Sequence, residues 1–356
     1  MTQKKENIKV GISIGDLNGI GAEVILKSFE DNRMLEICTP IIFANSKPLS
    51  YVKKSINNST TLQGIDSLTQ VVPNKLNVYN LWKENINISF GKNDPQVGKY
   101  AIKSFVEATQ ALKNGEIDLL VTAPINKYNS NDEEFTHPGH TGYLDSELEG
   151  EALMLLVTDE LKVGLLTDHI PLKDVAAAIT PELIEKKVKI VNQSLINDFN
   201  IFKPKIAVLG LNPHASDNGL IGTEEQEVMT PTIKKLHEEG ILVSGPFPAD
   251  GFFGSETYKK FDAVLACYHD QGLTAFKALS FSKGVNFTAG LDKIRTSPDH
   301  GTAYEIAGKG IADATSFREA IYLAIDIFNN RNFNLEASSN PLQPQEKDFA
   351  TKKFDN

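Results

Sequence analysis

The chain has 356 residues, of which 41% are hydrophobic and 23% charged, and its formal net charge is −10 at pH 7. This length exceeds what one simple core needs, so we expect two domains or one large two-lobed fold. The acidic balance, without a basic face, argues against nucleic acid or an anionic membrane as the partner, although a small site can still be locally positive.

Apolar runs of strand length alternate with helical patterns along the chain. The predicted strands are IKVGISIG (8–15), PIIFANS (40–46), IDLLVTAPINK (117–127), KVGLLTDHIPL (162–172), PKIAVLGLNPH (204–214) and DAVLACYHDQG (262–272). The predicted helices are AEVILKSFE (22–30) and the segments 100–115, 181–196, 224–240, with a break at Pro231, and 316–331. Helices between strands that are apolar on both faces indicate an α/β protein with a mainly parallel sheet. The polar tail from Asn332 is predicted to be flexible.

The cysteine content and the N-terminal segment indicate in which cellular compartment the protein is expected. Cys38 and Cys267 lie far apart and have no disulfide or metal-binding spacing, which favours a reducing environment. The segment MTQKKENIKVGISIG has no apolar signal region, and no apolar run reaches the roughly 20 residues that cross a bilayer. We therefore expect a soluble, cytoplasmic protein.

Three histidines follow predicted strands at the same topological position. His169 follows GLLTD, His214 follows AVLGLNP, and His269 follows AVLACY. A single histidine at a strand end is usually a hydrogen-bonded loop residue, but three of them favour a shared site for a divalent metal, because imidazole is a common ligand and a catalytic metal needs three protein ligands. His237, among charged residues of a helical pattern, is instead interpreted as a surface histidine.

Other polar residues concentrate in turns. The turn GDLNGIGAE (15–23) joins a strand to a helix, where its glycines and the helix N-terminus favour an anion, although such turns are common. The turns HPGHTGYLD (137–145) and GPFPADGFF (245–253) carry His140, Thr141 and Asp250. Lys277 and Arg295 are candidate ligands for phosphate or carboxylate, and surface charge is the alternative for each of them.

The motifs of the chain, taken together, resemble a known enzyme family. They are GDLNGIGAEV, VTAPINK, GHTGYL, TDHIPL, GLNPHASDNGLIGTEE, GPFPADGFF, YHDQGLTAFK and VNFTAGLDKIRTSPDHGTAYEIAGKG, in this order between about residues 8 and 330. As an ordered set they resemble the 4-hydroxythreonine-4-phosphate dehydrogenase family of pyridoxal phosphate biosynthesis. Two segments, GDLNGIGAEV and DHGTAYEIAGKGIAD, are also similar to the isocitrate and isopropylmalate dehydrogenase group, where the first lies by the cofactor cleft and the second helps to hold the adenosine end of the nucleotide.

The resemblance implies a two-lobed α/β/α subunit with its active site in the interdomain cleft. The first domain would comprise residues 1–138 plus about 300–331, the second residues 139–299 with the metal and dimer contacts, and residues 332–356 would form a flexible tail. It also implies a homodimer in which each site uses both subunits.

The resemblance further assigns site residues. A divalent metal (zinc, magnesium or cobalt) would be held by His169, His214 and, from the partner subunit, His269. The phosphorylated substrate would be bound by His140, Thr141, Lys277, Asn286 and Arg295. The cofactor NAD, with NADP as the open alternative, would lie near Gly15, Asp16, His300, Gly301 and Thr302. Lys277 and Asp250 are the two candidates for the catalytic base.

The implied reaction is oxidation of the C3 hydroxyl of 4-phosphohydroxy-L-threonine and loss of carbon dioxide, which gives 3-amino-2-oxopropyl phosphate. One alternative is a related dehydrogenase for another phosphorylated hydroxy acid, such as erythronate or threonate 4-phosphate. A metal-dependent hydrolase and a non-catalytic binding protein are further alternatives; neither uses all the motifs. The chain departs from the family at Gly142, where a glutamate is common, and segment 128–138 is longer than in the shortest members.

Overall fold

The structure is a computed structural model that describes residues 7–126, 135, 137 and 139–339. The first six residues, most of segment 127–138 and the tail from residue 340 lie outside the described residues. Within the described part of the chain, no helix is both long and apolar enough to cross a membrane.

Twelve strands of the described chain form one sheet. In chain order they are β1 Ile8–Ser13, β2 Cys38–Ala44, β3 Leu62–Ile65, β4 Leu76–Asn80, β5 Leu119–Thr122, β6 Gly150–Val157, β7 Lys162–Leu165, β8 Ile206–Leu209, β9 Val243–Phe247, β10 Ala263–Ala266, β11 Val285–Leu291 and β12 Arg295–Pro298. Across the sheet the order is β3-β4-β2-β1-β5-β12-β11-β6-β7-β10-β8-β9. Eight of these eleven pairings are parallel, so the predicted α/β fold with a mainly parallel sheet is confirmed.

Helices cover the sheet. They are α1 Gly21–Ser28, α2 Met34–Ile37, α3 Ser46–Ser55, α4 Pro95–Lys113, α5 His140–Glu147, α6 Leu172–Ala178, α7 Pro181–Asn197, α8 Thr230–Glu238, α9 Ala249–Gly254, α10 His269–Ser280 and α11 Thr315–Ser338. Local signals set their ends: the Thr180 side chain accepts a hydrogen bond from Leu183 N at the start of α7, and Pro181 occupies its first position. A π-helical turn precedes α8, so the winding changes close to the predicted break at Pro231.

Four boundaries differ from the prediction. The strands that precede the three histidines are shorter than predicted and end at Leu165, Leu209 and Ala266, because the chain turns out of the sheet before its polar residues. Helix α11 continues through residues 332–338, which were assigned to the flexible tail. Its last turns are held by Asn334, whose amide donates hydrogen bonds to carbonyls at the end of α7.

The centre of the sheet contains an antiparallel part that the sequence pattern did not predict. Strand β11 pairs antiparallel with β6 and β12, and β6 pairs antiparallel with β7. Consequently β7, β8 and β10 run opposite to β5. The sheet is continuous across both predicted domains, and β12, assigned to the second domain, pairs with β5 of the first. The division at residues 139 and 299 therefore stays a prediction.

Candidate active site

A cleft of about 680 Å3 lies over the centre of the sheet. Strands β5, β6, β11 and β12 contribute residues to its wall, among them Thr122, Met154, Asn286 and Arg295. The loops after β5, β7 and β12, together with parts of α5 and α10, form the rest of the wall. Another cavity of about 660 Å3, between α7 and α11, contains none of the predicted site residues.

The cleft brings together most, but not all, of the predicted site residues. Those that line it are His140, Thr141, His169, His269, Lys277, Asn286, Arg295, His300 and Gly301. Those that do not are Gly15, Asp16, His214, Asp250 and Thr302. Lys277 therefore lies in the cleft, whereas Asp250, the other candidate for the catalytic base, lies in the first turn of α9 outside it.

Arg295 is a buried cation whose partners are neutral. Its side chain is 2% exposed, and its guanidinium donates to the hydroxyls of Thr122 and Thr288 and lies 3.1 Å from His140 Nδ1. No carboxylate of the described chain lies within ion-pair distance of it. Burial lowers the pKa of Arg295 to about 9, so the group stays charged at neutral pH. Burying a charge without a counterion costs free energy, so an anionic ligand beside Arg295 would be bound favourably.

Polar atoms beside Arg295 extend this binding surface. The first turn of α5, at His140 and Thr141, borders the cleft, and a helix N-terminus favours negative charge. Within the described residues, the buried Asn286 Oδ1 has no hydrogen-bond partner. Buried acceptors of this kind are usually satisfied, so Asn286 Oδ1 is positioned to accept a hydrogen bond from a ligand.

The three predicted metal ligands follow adjacent parallel strands. The strand order β7-β10-β8 puts His169, His269 and His214 at one edge of the sheet, with His269 in the middle. The rings of His169 and His269 of the same chain are 5.7 Å apart between centroids. His214 does not line the cleft. It begins a run of residues with left-handed backbone that extends to Asn218. The Gln271 amide bonds both Gly210 O and Cys267 N, and so joins the His214 loop to α10.

The donor set fits a divalent metal in part. His269 Nδ1 lies 2.7 Å from Asp270 Oδ1 and His169 Nδ1 lies 3.7 Å from Asp168 Oδ2, which leaves the Nε2 side of each ring for a ligand. Carboxylates that orient metal-binding imidazoles in this way are common. The hydrogen bond with His169 holds the pKa of Asp168 below its usual range. Among the described residues, however, no three His, Cys, Asp or Glu side chains are close enough to hold a metal, so two imidazoles need a further donor.

Lys277 and Asp299 form an ion pair at one end of the cleft. Lys277 Nζ lies 3.4 Å from Asp299 Oδ1, and the aspartate side chain is 16% exposed whereas the lysine is half exposed. Burial raises the pKa of Asp299, and Lys277 partly opposes that shift. Ser316 Oγ accepts a hydrogen bond from Asp299 N and donates to Gly284 O, which fixes the backbone that carries the carboxylate. The pair therefore holds the Lys277 amine toward the cleft.

A smaller cavity of about 350 Å3 continues from the cleft beyond this ion pair. Lys277, Asp299 and His300 line both spaces. His300 Nδ1 donates to Gly301 O, so the buried Nε2, without a partner among the described residues, is an acceptor. The glycine turn after β1 forms part of the wall: Ile20 lines this cavity, and its N donates to Thr302 O at 3.0 Å. A ligand longer than the cleft can thus extend into the smaller cavity.

Two of the predicted cofactor residues have structural partners in this turn. Asp16 accepts hydrogen bonds from Tyr304 Oη at 2.5 Å and from Asn18 N at 2.8 Å. Gly15 has a φ of +68°, and a side chain there would clash with Pro124 O. The turn therefore holds segment 302–304 against the loop after β5. Neither Gly15 nor Asp16 lines the cleft or the smaller cavity.

The sequence reasoning missed Asp145, a cleft carboxylate on α5. It lies four residues after Thr141, so helical spacing puts both side chains on one face. The four-residue spacing from Thr141 could have identified Asp145, because the segment 137–145 had already been chosen as a candidate site for His140 and Thr141.

The α/β sheet carries a polar cleft with a buried arginine that has no carboxylate partner among the described residues. This combination is typical of an enzyme that binds a small anionic ligand. Comparison with known proteins narrows this class. A family model described as pyridoxal phosphate biosynthetic protein PdxA matches residues 36–324. The chain belongs to this family.

Similar proteins cover nearly the whole chain. A 4-hydroxythreonine-4-phosphate dehydrogenase of Bacteroides thetaiotaomicron is 47% identical over 344 residues, which is 96% of this chain and 94% of the relative. A crystal structure of 4-hydroxythreonine-4-phosphate dehydrogenase from Klebsiella pneumoniae superimposes with a TM-score of 0.78 at 32% identity and covers 92% of this chain and 99% of its own. The same enzyme from Burkholderia phymatum gives a TM-score of 0.74 at 34% identity, over 91% of this chain and 99% of its own.

Proposed function

We propose that the chain is a 4-hydroxythreonine-4-phosphate dehydrogenase, which oxidises and decarboxylates 4-phosphohydroxy-L-threonine in pyridoxal phosphate biosynthesis. Its family and the names of its relatives support this function. The observation that carries it in the structure is Arg295, a buried guanidinium whose partners among the described residues are neutral. Such a group matches a phosphate, which accepts hydrogen bonds from two guanidinium nitrogens at once.

The phosphate would bind at Arg295, His140 and Thr141, and the rest of the substrate would extend along the cleft toward Lys277. Asn286 Oδ1 would accept a hydrogen bond from a hydroxyl or ammonium group of the substrate. Binding between fixed groups orients the C3 hydroxyl and excludes water from it.

Lys277 is the proposed acceptor of the C3 hydroxyl proton. When bound, NAD would take the C3 hydrogen as hydride, and the unprotonated amine of Lys277 would take the hydroxyl proton. The carboxylate would then leave as carbon dioxide, its bonding electron pair would stay on the substrate as an enolate, and a proton returned from Lys277 to C2 would complete 3-amino-2-oxopropyl phosphate. Asp299 holds the amine in position through the 3.4 Å ion pair. Asp250 would need a partner subunit or a movement of α9 to act in this cleft, so Lys277 is the preferred base.

His169 and His214 of one subunit, together with the partner subunit's His269, would hold a divalent metal. A metal of this kind, when bound, polarises the oxygen on C3 and so favours both hydride loss and decarboxylation. Imidazole donors suit zinc or cobalt better than magnesium, which prefers oxygen ligands.

The proposed cofactor is NAD, and its position follows from the adjoining spaces. The nicotinamide would lie in the cleft by Lys277, and the nucleotide would continue past His300 and Gly301 into the smaller cavity. The buried acceptor His300 Nε2 would receive a hydrogen bond from the cofactor. Gly15, Asp16 and Thr302 would support this wall from behind.

We further propose a cytoplasmic homodimer with shared sites. Leu172 and Leu220, which follow the His169 and His214 loops, are 70% and 80% exposed, as expected of an interface beside the metal ligands. Both described cysteines are free and buried, which suits a reducing compartment.

The test is NADH formation by the purified chain, with and without a chelator. We expect chelator-sensitive turnover of 4-phosphohydroxy-L-threonine that exceeds turnover of erythronate and threonate 4-phosphate. Turnover of the sugar-acid phosphates alone would assign the cleft to another phosphorylated hydroxy acid. Turnover that a chelator leaves unchanged would remove the metal from the proposal.

A further inference from the structure

An ion pair on helix α1 binds the backbone of a distant segment of the chain. Lys27 Nζ lies 3.1 Å from Glu23 Oε1, one helical turn away. Glu23 Oε1 also accepts a hydrogen bond from Ala312 N at 2.8 Å. Lys27 Nζ donates to Gly310 O and Ala312 O, both at 2.8 Å. The two side chains, here named the α1 clamp, are 1% and 23% exposed for Glu23 and Lys27, so solvent screens their interactions little.

The segment that the α1 clamp binds connects two regular elements without being regular itself. It follows the short 3-10 helix Tyr304–Ile306 and leads into α11. Gly308 and Gly310 within it have φ angles of +73° and +70°, which interrupt a repeating pattern of backbone hydrogen bonds. The α1 clamp therefore supplies hydrogen-bond partners for three backbone groups that no regular element satisfies.

The same helix face and the same segment both belong to the wall of the smaller cavity. Asp313, which directly follows Ala312, lines that cavity of about 350 Å3. Ile20, at the N-cap of α1, lines it as well. Ile20, Glu23 and Lys27 are spaced by three and four residues, which puts them on one face of α1. This face thus contributes to the wall at one end and holds another part of the wall through the α1 clamp.

We infer that the α1 clamp sets the affinity of the protein for its nucleotide, by positioning the segment that carries Asp313. The inference rests on the proposed function, in which the nucleotide continues from the cleft into the smaller cavity. Glu23 and Lys27 line neither space, so they are positioning residues that act through the segment. A wall that is already fixed loses little conformational freedom when a ligand enters, and the affinity is higher for that reason.

The test is the dissociation constant of NADH, followed by NADH fluorescence, for the wild type and for Glu23→Gln. Glutamine keeps the size of the side chain and an oxygen for Ala312 N. The Lys27 amine that loses its carboxylate is partly exposed, so the fold should persist. The matched control is Glu238→Gln, which removes the carboxylate of an exposed ion pair with Lys234 at the same helical spacing on α8.

We expect the dissociation constant of NADH to rise by about tenfold in Glu23→Gln and to stay within about twofold of the wild type in Glu238→Gln. In both variants, KM for the phosphorylated substrate and kcat at saturating NAD should stay within about twofold, because neither glutamate lines the cleft. A second measurement needs no variant: in the wild type without NADH, the amide of Ala312 should already be protected from hydrogen exchange.

An unchanged dissociation constant in Glu23→Gln, with a wild type that binds NADH, would overturn the role of the α1 clamp alone. Equal losses in NADH binding, substrate KM and kcat would also overturn it, because they would show a general effect on the fold. Should Glu23→Gln fail to fold, rapid exchange at Ala312 in the wild type would exclude a prepositioned wall. A wild type that does not bind NADH would overturn the proposed cofactor and this inference together.

Discussion

At the scale of single residues, we propose that substrate binding depends on the buried positive charge of Arg295. Arg295→Lys keeps the positive charge but loses the fork that binds two phosphate oxygens. We expect KM for the phosphorylated substrate to rise by about tenfold while kcat changes less. Steady-state kinetics would measure this, with the exposed Arg33→Lys as the control. An unchanged KM in the Arg295 variant would remove that residue from the substrate site.

The buried thiols allow a second prediction at this scale. Burial raises the pKa of Cys38 to about 12 and also raises that of Cys267. Since thiolate is the reactive form, neither thiol should react with iodoacetamide at pH 8 in the folded protein, and both should react in denaturant. A raised thiol pKa in the folded state stabilises the fold below the ordinary value of 9.0 and loses that effect as the pH rises toward 12. Mass spectrometry after alkylation gives the result, and modification of either thiol before unfolding would contradict it.

Much of the site could be predicted at this scale, because its residues have chemically distinctive types. Arg295, Lys277 and Asn286 were identified as site residues, and all three line the cleft. Asp145 was missed because a single aspartate in a turn-like segment has several ordinary roles, such as forming the turn. His214 shows the converse limit: it does not line the cleft and begins a run of left-handed residues, a conformation that the sequence pattern did not predict.

At the scale of elements, the antiparallel strands at the centre of the sheet determine where the cleft lies. Sequence patterns found β1, β2, β5, β7, β8 and β10 but missed the other six strands, including the central β6 and β11. Strand β6 reads GEALMLLV, whose residues are also good helix formers, and β11 reads VNFTAGL, in which Gly290 interrupts the apolar pattern. Packing between neighbouring strands therefore decides these two elements, and neighbours are not visible in a local window.

The glycines of this pair are required by geometry. Gly290 has a φ of +84°, and a Cβ there would lie 2.2 Å from Glu151 O at the register shift between β11 and β6. We expect Gly290→Ala to lower the free energy of unfolding by about 2 kcal/mol, measured by urea denaturation. Gly254→Ala is the control, because a Cβ there meets nothing within 4 Å. Equal denaturation midpoints for the two variants would show that the β6–β11 pairing can accept a side chain at position 290.

At the scale of the whole molecule, the account predicts that subunits share their metal ligands. If His214 comes from one subunit and His269 from its partner, His214→Ala and His269→Ala should each be inactive. A mixture of the two variants, dissociated and reassociated, should recover about a quarter of wild-type activity, because half of the dimers are mixed and each mixed dimer has one intact site. No recovery would place all three histidines in one subunit, as the 5.7 Å between the rings of His169 and His269 of one chain would allow.

The central claim is that the cleft binds a phosphorylated amino acid through Arg295 and oxidises it with NAD. The most direct measurement is kcat/KM of the wild type for 4-hydroxy-L-threonine with and without its 4-phosphate, followed as NADH formation. We expect the phosphate to raise kcat/KM by at least about a hundredfold, because no carboxylate of the described residues neutralises the buried guanidinium. Equal kcat/KM values for the two compounds would contradict this proposal, because the positive charge of Arg295 would then contribute nothing to substrate binding.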